Sequence, residues 1–61
     1  MSMTGSELKR YRKRFSLTQV DMAKKIGVHS NSLARMERNE MTISEPVARL
    51  VRLIAATSKK R

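Results

Sequence analysis

A chain of 61 residues with 14 lysines and arginines against five acidic residues carries a net charge of +9, which favours a polyanionic partner such as nucleic acid. Its length allows one domain with a marginal core, and without cysteine neither a disulfide nor a thiolate metal site can reinforce that core. No apolar run approaches the roughly 20 residues that span a bilayer, and no signal-peptide core opens the chain. One tyrosine and one phenylalanine are too few for the aromatic stacking surfaces of proteins that bind single strands. Duplex DNA is therefore the favoured nucleic acid.

The first predicted helix begins near Gly5 or Ser6, because Thr4 and Glu7 have the spacing of a capping box. The three residues before Thr4 are expected to be loose. The inward-facing stripe of this helix has helical spacing and consists of Leu8, Tyr11 and Phe15.

Arg12 falls on the same apolar arc, where an unpaired guanidinium would cost several kcal/mol. The candidate partner is Glu37, which lies beside Leu33 on a later helix. We therefore predict an Arg12–Glu37 ion pair that fixes that helix against the first one. The alternative is that Arg12 extends along its stem to solvent.

Two short helices joined by a tight turn are predicted between Thr18 and Arg38. Thr18 can cap the first of them, with Asp21 as its reciprocal partner. Gly27 follows the apolar positions of that helix and can take a positive φ without steric cost, so it is a natural stop signal. The apolar positions of the pair are Met22, Ala23, Ile26, Val28, Leu33 and Met36.

The second helix of this pair separates into two faces at about 100° per residue. Leu33 and Met36 lie on one side, whereas Asn31, Arg35 and Arg38 lie together on the other. Asn is suited to adenine and Arg to guanine, each through paired hydrogen bonds to the base edge. The alternative is an ordinary solvated polar face, which most surface helices have.

The last predicted helix opens at Ser44, with Pro46 in its first turn, where a missing N–H had no helical partner. Leu53 lies beside Pro46, away from the apolar stripe, and the two are a possible dimer contact. The apolar stripe consists of Val47, Leu50, Val51 and Ile54. Residues 1–56 are predicted to form the domain, and residues 57–61 a frayed basic tail.

The helix pair resembles the helix-turn-helix of the Cro and lambdoid-repressor (Xre-type) family. Counted from Gln19 as the first position, that family wants a small residue at the fifth position, glycine at the ninth, and apolar residues at the fourth, eighth, tenth, fifteenth and eighteenth. Every position is filled, by Ala23, Gly27, Met22, Ile26, Val28, Leu33 and Met36. The resemblance extends from about Glu7 to Ile54.

The resemblance implies an all-α fold, a compact bundle of four short helices with a lambda-repressor-like DNA-binding domain. It implies that the third helix enters the major groove of duplex DNA, and that the protein represses transcription, plausibly of its own operon, as a homodimer on a palindromic operator. It also implies a pairing of the Arg12 and Glu37 positions. The phage repressors of the family generally carry a fifth helix for dimerisation, whereas four are predicted here. Such a regulator would work in the cytoplasm of a bacterium or of a phage host.

His29 stands where the family usually has Ser or Thr as the cap of the third helix. Either His29 takes the cap site or Ser30 does, and a shift of one residue would rotate the face that reads the bases. Gln19 matches a position that contacts phosphate or the outermost base, although it can also be an ordinary exposed first-turn residue.

The candidate DNA contacts divide into two groups. The loop after Arg38 faces the DNA backbone in the family; Asn39 is expected to end the helix there in a left-handed conformation, and Glu40 is expected to turn away from the DNA. The predicted base-reading residues are Ser30, Asn31, Arg35 and Gln19. The predicted phosphate contacts are Thr18, His29, Ser32, Arg38, Asn39, Thr42 and Ser44.

Other functions are less well supported by the residues. One alternative is an antitoxin-like module whose main role is to bind a partner protein, although no extra partner-binding segment is evident. A basic peptide that lies on a membrane surface is another, since the last helix has arginines opposite an apolar stripe. No paired carboxylates, nucleophile–base set, phosphate-cradling glycine loop or metal-ligand group indicates an enzyme. We expect no cofactor, no metal and no small-molecule ligand.

Overall fold

The computed structural model describes residues 3–57, and over that range the protein is all-helical. The helices are α1 (Gly5–Arg14), α2 (Gln19–Ile26), α3 (Ser30–Glu37) and α4 (Glu45–Thr57). α2 packs on α3, α1 packs on α3 and α4, and α4 also contacts α2. The predicted bundle of four short helices is thus confirmed.

Side-chain caps define where the first two helices begin. The hydroxyl oxygen of Thr4 accepts from the Glu7 N–H at 3.1 Å and the Glu7 carboxylate accepts from the Thr4 N–H at 2.9 Å, so the predicted capping box is formed. Thr18 caps α2 by accepting from the N–H of Asp21 at 3.1 Å. Local hydrogen bonding alone therefore explains why α1 begins at Gly5 and α2 at Gln19.

The first three helices all end at a residue with left-handed backbone conformation. These residues have φ of 61° at Ser16, 76° at Gly27 and 63° at Asn39. In each case the N–H of the following residue bonds to the carbonyl five residues earlier, as in a Schellman motif. These bonds run from Leu17 to Arg12 at 3.2 Å, from Val28 to Ala23 at 2.9 Å and from Glu40 to Arg35 at 2.8 Å.

The core joins residues from all four helices with Met3, which precedes α1, and Ile43, which precedes α4. Four large side chains are fully enclosed, namely Leu8, Met22, Leu33 and Val51. Ala23, Ile26, Met36 and Ile43 complete most of it. The predicted inward faces of α1, α2 and α3 therefore meet where the sequence pattern placed them.

Met3 and Ala48 belong to the core, although neither was predicted to be buried. Met3 is only 4% exposed, although it was expected to be loose; it precedes the Thr4 cap, and that position often packs against the fourth helical residue, here Leu8. Ala48 is fully buried although it was left out of the α4 stripe, whereas Val47, Leu50 and Ile54 of that stripe are only partly buried against the core. A small side chain at Ala48 lets α4 approach its neighbours closely.

The predicted boundary at residue 57 differs slightly from the observed one. Thr57 was assigned to the basic tail, but it belongs to α4 and its hydroxyl donates to the carbonyl of Ile54 at 3.1 Å. The remaining tail residues, 58–61, lie outside the described residues.

Gly5 joins the start of α1 to the end of α3. Its N–H donates to the side-chain oxygen of Asn39 at 2.9 Å. A Cβ atom at this position would clash with the carbonyl oxygen of Met36, would lie 2.7 Å from that of Glu37 and would lie 2.9 Å from the Asn39 side-chain oxygen. Only glycine allows this approach without a shift of α1 or α3, and the sequence pattern did not reveal it.

Candidate nucleic-acid interface

The turn between α2 and α3 sets the angle at which the outer face of α3 is presented. Gly27 ends α2 in the left-handed region with φ 76° and ψ 30°. Met22, Ala23 and Ile26 of α2 are buried in one cluster with Leu33 and Met36 of α3. Because the apolar faces of both helices are buried, the opposite face of α3 is directed outward.

His29 caps α3, which decides between the two alternatives left open by the sequence. Its backbone is extended (φ −73°, ψ 146°) and its Nδ1 atom accepts from the N–H of Asn31 at 3.1 Å. An imidazole that accepts through Nδ1 carries its proton on Nε2. The first residue of α3 is therefore Ser30, with no shift of the outer face.

The outer face of α3 is polar and accessible. Asn31, Arg35 and Arg38 are exposed, and Ser30 and Ser32 are half-buried beside them. The side chain of Arg35 is 57% exposed. The side chains that were predicted to read bases on α3 are thus available to a partner.

The inner side of α3 is fixed by Glu37, whose side chain is 3% exposed. Its Oε2 atom accepts from Arg12 Nε at 2.6 Å, and its Oε1 atom accepts from Arg12 Nη2 at 3.2 Å. Arg12 also donates through Nη1 to the carbonyl of Leu17 at 3.0 Å, so its guanidinium is held by two acceptor groups. The predicted ion pair is present, and Arg12, at 13% side-chain exposure, does not extend to solvent.

Gln19 contacts the same carboxylate, which the sequence did not indicate. Its Nε2 atom donates to Glu37 Oε1 at 3.1 Å. Glu37 therefore links α1, α2 and α3 through Arg12 and Gln19. The side chain of Gln19 is half-buried, and its amide group is bonded to Glu37 on the inner side of α3 rather than extended along the outer face.

The loop after α3 contains four of the predicted phosphate contacts. Arg38, Thr42 and Ser44 are exposed. Asn39 is also exposed, but its side-chain oxygen is occupied by the Gly5 N–H, so only its NH₂ group is left to donate to a phosphate. Ile43 is buried and holds the loop to the core.

Glu40 does not turn away from the basic face of α3, and that expectation was wrong. Its carboxylate accepts from Arg38 Nε at 2.9 Å and from Arg38 Nη2 at 3.2 Å. Its Oε1 atom also lies 4.0 Å from Arg35 Nε. The hydrogen bonds and positive charge of Arg38 lower the pKa of Glu40 below its usual value, which keeps this carboxylate ionised.

A second exposed surface lies on α4, where Pro46, Leu50 and Leu53 form an apolar patch. Leu53 is 58% exposed, Pro46 is exposed and Leu50 is half-buried. The polar residues at its edge are Glu45, Arg49 and Arg52. This α4 patch includes both residues that the sequence marked as a possible dimer contact.

Within residues 3–57, none of the helices is long and apolar enough to cross a bilayer. Within the same residues, no group of three His, Asp or Glu side chains is placed to hold a metal ion.

One comparison with known proteins gives a match. A family model described as helix-turn-helix matches residues 8–53, about three quarters of the chain. The match begins in α1 and ends in α4, so it includes the turn at Gly27 and the whole of α3. No curated protein matches the chain.

Proposed function

The chain belongs to the helix-turn-helix family, in its Cro/C1-type form, and is a DNA-binding regulator; on that premise we propose that it is a repressor that binds an inverted-repeat operator as a homodimer. The observation that carries the proposal is the pair of exposed side chains Asn31 and Arg35 on the helix that follows the Gly27 turn. Helices presented in this way enter the major groove.

In the proposed complex, each side chain of α3 has a defined role. Asn31 binds an adenine through its amide, and Arg35 binds a guanine through two guanidinium N–H groups. Ser30 assists near the start of α3, and Gln19 reaches the outermost base of the half-site. The latter contact requires the Gln19 side chain to give up or share its hydrogen bond with Glu37.

Phosphate contacts orient α3 in the groove without reading sequence. The cap of α3 supports this role, because a ring that accepts through Nδ1 leaves its Nε2–H free to donate to a phosphate. The start of α2 likewise presents backbone N–H groups that suit an anion. The proposed set is Thr18, His29, Ser32, Arg38, Asn39, Thr42 and Ser44.

The α4 patch is the surface that we assign to the homodimer. Pro46, Leu50 and Leu53 lie on one side of a single helix, so two copies related by a twofold axis can bury the same residues against each other. Such a dimer presents two α3 helices to two half-sites about one helical turn apart. Repression follows because the operator overlaps a promoter, that of the protein's own operon, in the cytoplasm of a bacterium or phage host.

The deciding experiment is selection of bound duplexes from a random pool, followed by sequencing. We expect an inverted repeat whose half-site contains an adenine and a guanine that respond to substitution of Asn31 and Arg35, respectively. Enrichment without any shared sequence would overturn the proposal of a sequence-specific repressor. Enrichment of a single half-site without symmetry would overturn the homodimer.

A further inference from the structure

The end of α3 folds an acidic side chain back onto the basic face of the same helix. Asn39 reverses the chain in the left-handed conformation at φ 63°. The N–H of the next residue, Glu40, then bonds to the carbonyl of Arg35 at 2.8 Å. The backbone of Glu40 is therefore held beside the last turn of α3, where Arg35 and Arg38 emerge.

The Glu40 carboxylate occupies the place beside Arg38 where a phosphate bound by that arginine would lie. Two parallel N–H groups of Arg38 donate to its two oxygens, at 2.9 and 3.2 Å. Arginine binds phosphate through the same two-pronged arrangement. The Oε1 atom, which accepts from Arg38 Nη2, also lies 4.0 Å from Arg35 Nε, so one carboxylate is placed against both arginines.

This arrangement contributes little to folding. The side chains of Arg35, Arg38 and Glu40 are 57%, 58% and 51% exposed, and surface ion pairs of this kind have small effects on stability. Its consequence is instead electrostatic, because a negative charge beside the two arginines repels an approaching phosphate. The same carboxylate also takes up two N–H donors of Arg38.

We propose that Glu40 limits the affinity of this interface by competing with DNA phosphates for Arg38 and, more weakly, for Arg35. The inference rests on the proposed function only in requiring that the outer face of α3 meets duplex DNA. Because binding to non-cognate DNA depends almost wholly on phosphate contacts, Glu40 restrains the attraction that a chain of net charge +9 would otherwise have for any duplex. Glu40 thus favours release from non-cognate sequence.

The test measures binding of the full chain to a short duplex of arbitrary sequence over about 50 to 200 mM salt. Glu40→Gln removes the charge and nearly preserves the shape. We expect it to bind roughly five- to ten-fold tighter near 100 mM salt, with a salt slope steeper by about 0.9, as for one added phosphate contact. The matched control is Glu7→Gln, which removes the same charge from an exposed residue of α1 at a position where glutamine can also complete the capping box with Thr4. This control is expected to change binding less than about twofold.

A double-mutant cycle tests whether the effect passes through Arg38. In an Arg38→Gln background, Glu40→Gln should strengthen binding by no more than about twofold, since only the weaker contact to Arg35 is left. Equal changes for Glu40→Gln and Glu7→Gln would overturn the inference, and so would an effect that is undiminished without Arg38. If the unaltered chain fails to bind the duplex at the lowest salt, the proposed function fails as well, and that outcome is distinct from the other two.

Discussion

Glu37 Oε2 lies 2.6 Å from Arg12 Nε. The side chains of this pair are almost enclosed, at 3% exposure for Glu37 and 13% for Arg12. The same carboxylate accepts from Gln19. Three helices therefore share one acceptor beneath the outer face of α3, so the stability of the domain and the position of α3 depend on the same side chain.

Glu37→Ala is expected to destabilise the protein by about 3 kcal/mol. Removal of one partner of a buried pair leaves the other charge uncompensated, which typically costs about 3–5 kcal/mol, and the Leu17 carbonyl retains part of the hydrogen bonding of Arg12. A chain of this size has a total stability of only about 3–9 kcal/mol. Thermal unfolding by circular dichroism measures the effect, with Glu45→Ala as the control. An unchanged melting temperature would contradict the role of the pair.

Gly5→Ala is expected to lower stability even though alanine favours helix formation by up to about 1 kcal/mol. The added Cβ meets the carbonyl oxygens of Met36 and Glu37, and such overpacking costs about 1–3 kcal/mol. Ser6→Ala, at the next and exposed position of α1, should instead be neutral or slightly stabilising. Chemical denaturation of the two variants gives the comparison. Equal stability would show that α1 shifts without loss.

Ser16→Gly and Asn39→Gly are expected to have opposite effects, although both residues have positive φ. Glycine relieves a left-handed backbone that costs other residues about 1 kcal/mol or more, so Ser16→Gly should raise the melting temperature. Asn39→Gly relieves the same strain but removes the acceptor of the Gly5 N–H, and an unsatisfied donor costs about 1–3 kcal/mol. We therefore expect Asn39→Gly to lower the melting temperature. A rise in both variants would show that the Asn39–Gly5 bond contributes little.

Arg35→Ala is expected to weaken binding to the selected operator by about 1–3 kcal/mol, the usual contribution of a bidentate base contact. Its effect on a duplex of arbitrary sequence should be smaller. Lys24→Ala, which removes a positive charge from the exposed side of α2, should affect both duplexes alike and mainly reduce the salt slope. Equal losses on both duplexes for Arg35→Ala would show that Arg35 contacts phosphate alone.

Leu53→Glu is expected to convert the proposed dimer to a monomer, because it places a charge in the α4 patch, at its most exposed leucine. Val20→Glu makes the same exchange on α2, where the valine is 51% exposed compared with 58% for Leu53. Sedimentation equilibrium should show dissociation for Leu53→Glu only. If both variants keep the association state of the unaltered chain, the dimer does not use this patch.

The parts of the fold that were predictable from the sequence are those decided within a few residues. Thr4, Thr18, Gly27 and Asn39 act through hydrogen bonds and backbone preferences over three to five positions, so the start or end of a helix can be predicted from each of them. The apolar period then predicts which faces pack. Arg12 and Glu37 were also predictable, since a charge on an apolar arc needs an opposite charge.

The parts that were not predictable depend on contacts between residues distant in the chain. Gly5 and Asn39 are 34 positions apart, and no local pattern marks their contact. Gln19 and Glu37 are 18 positions apart, so the engagement of Gln19 could not be inferred from its place in α2. The prediction for Glu40 failed for another reason, because it considered only the sign of the charge. The direction of the Glu40 side chain follows from the hydrogen bond between its N–H and the Arg35 carbonyl, which the left-handed Asn39 makes possible.

The contrast between the enclosed Glu37 and the open Asn31 and Arg35 has a consequence for the evolution of such a protein. Exchanges at the two open positions disturb no packed neighbour, so their effect on folding should be small. A substitution of Glu37, in contrast, is expected to lower the folding stability of the domain. After a gene duplication, one copy can therefore acquire a new DNA target by single substitutions on the outer face of α3, while the packing of the four helices is unchanged.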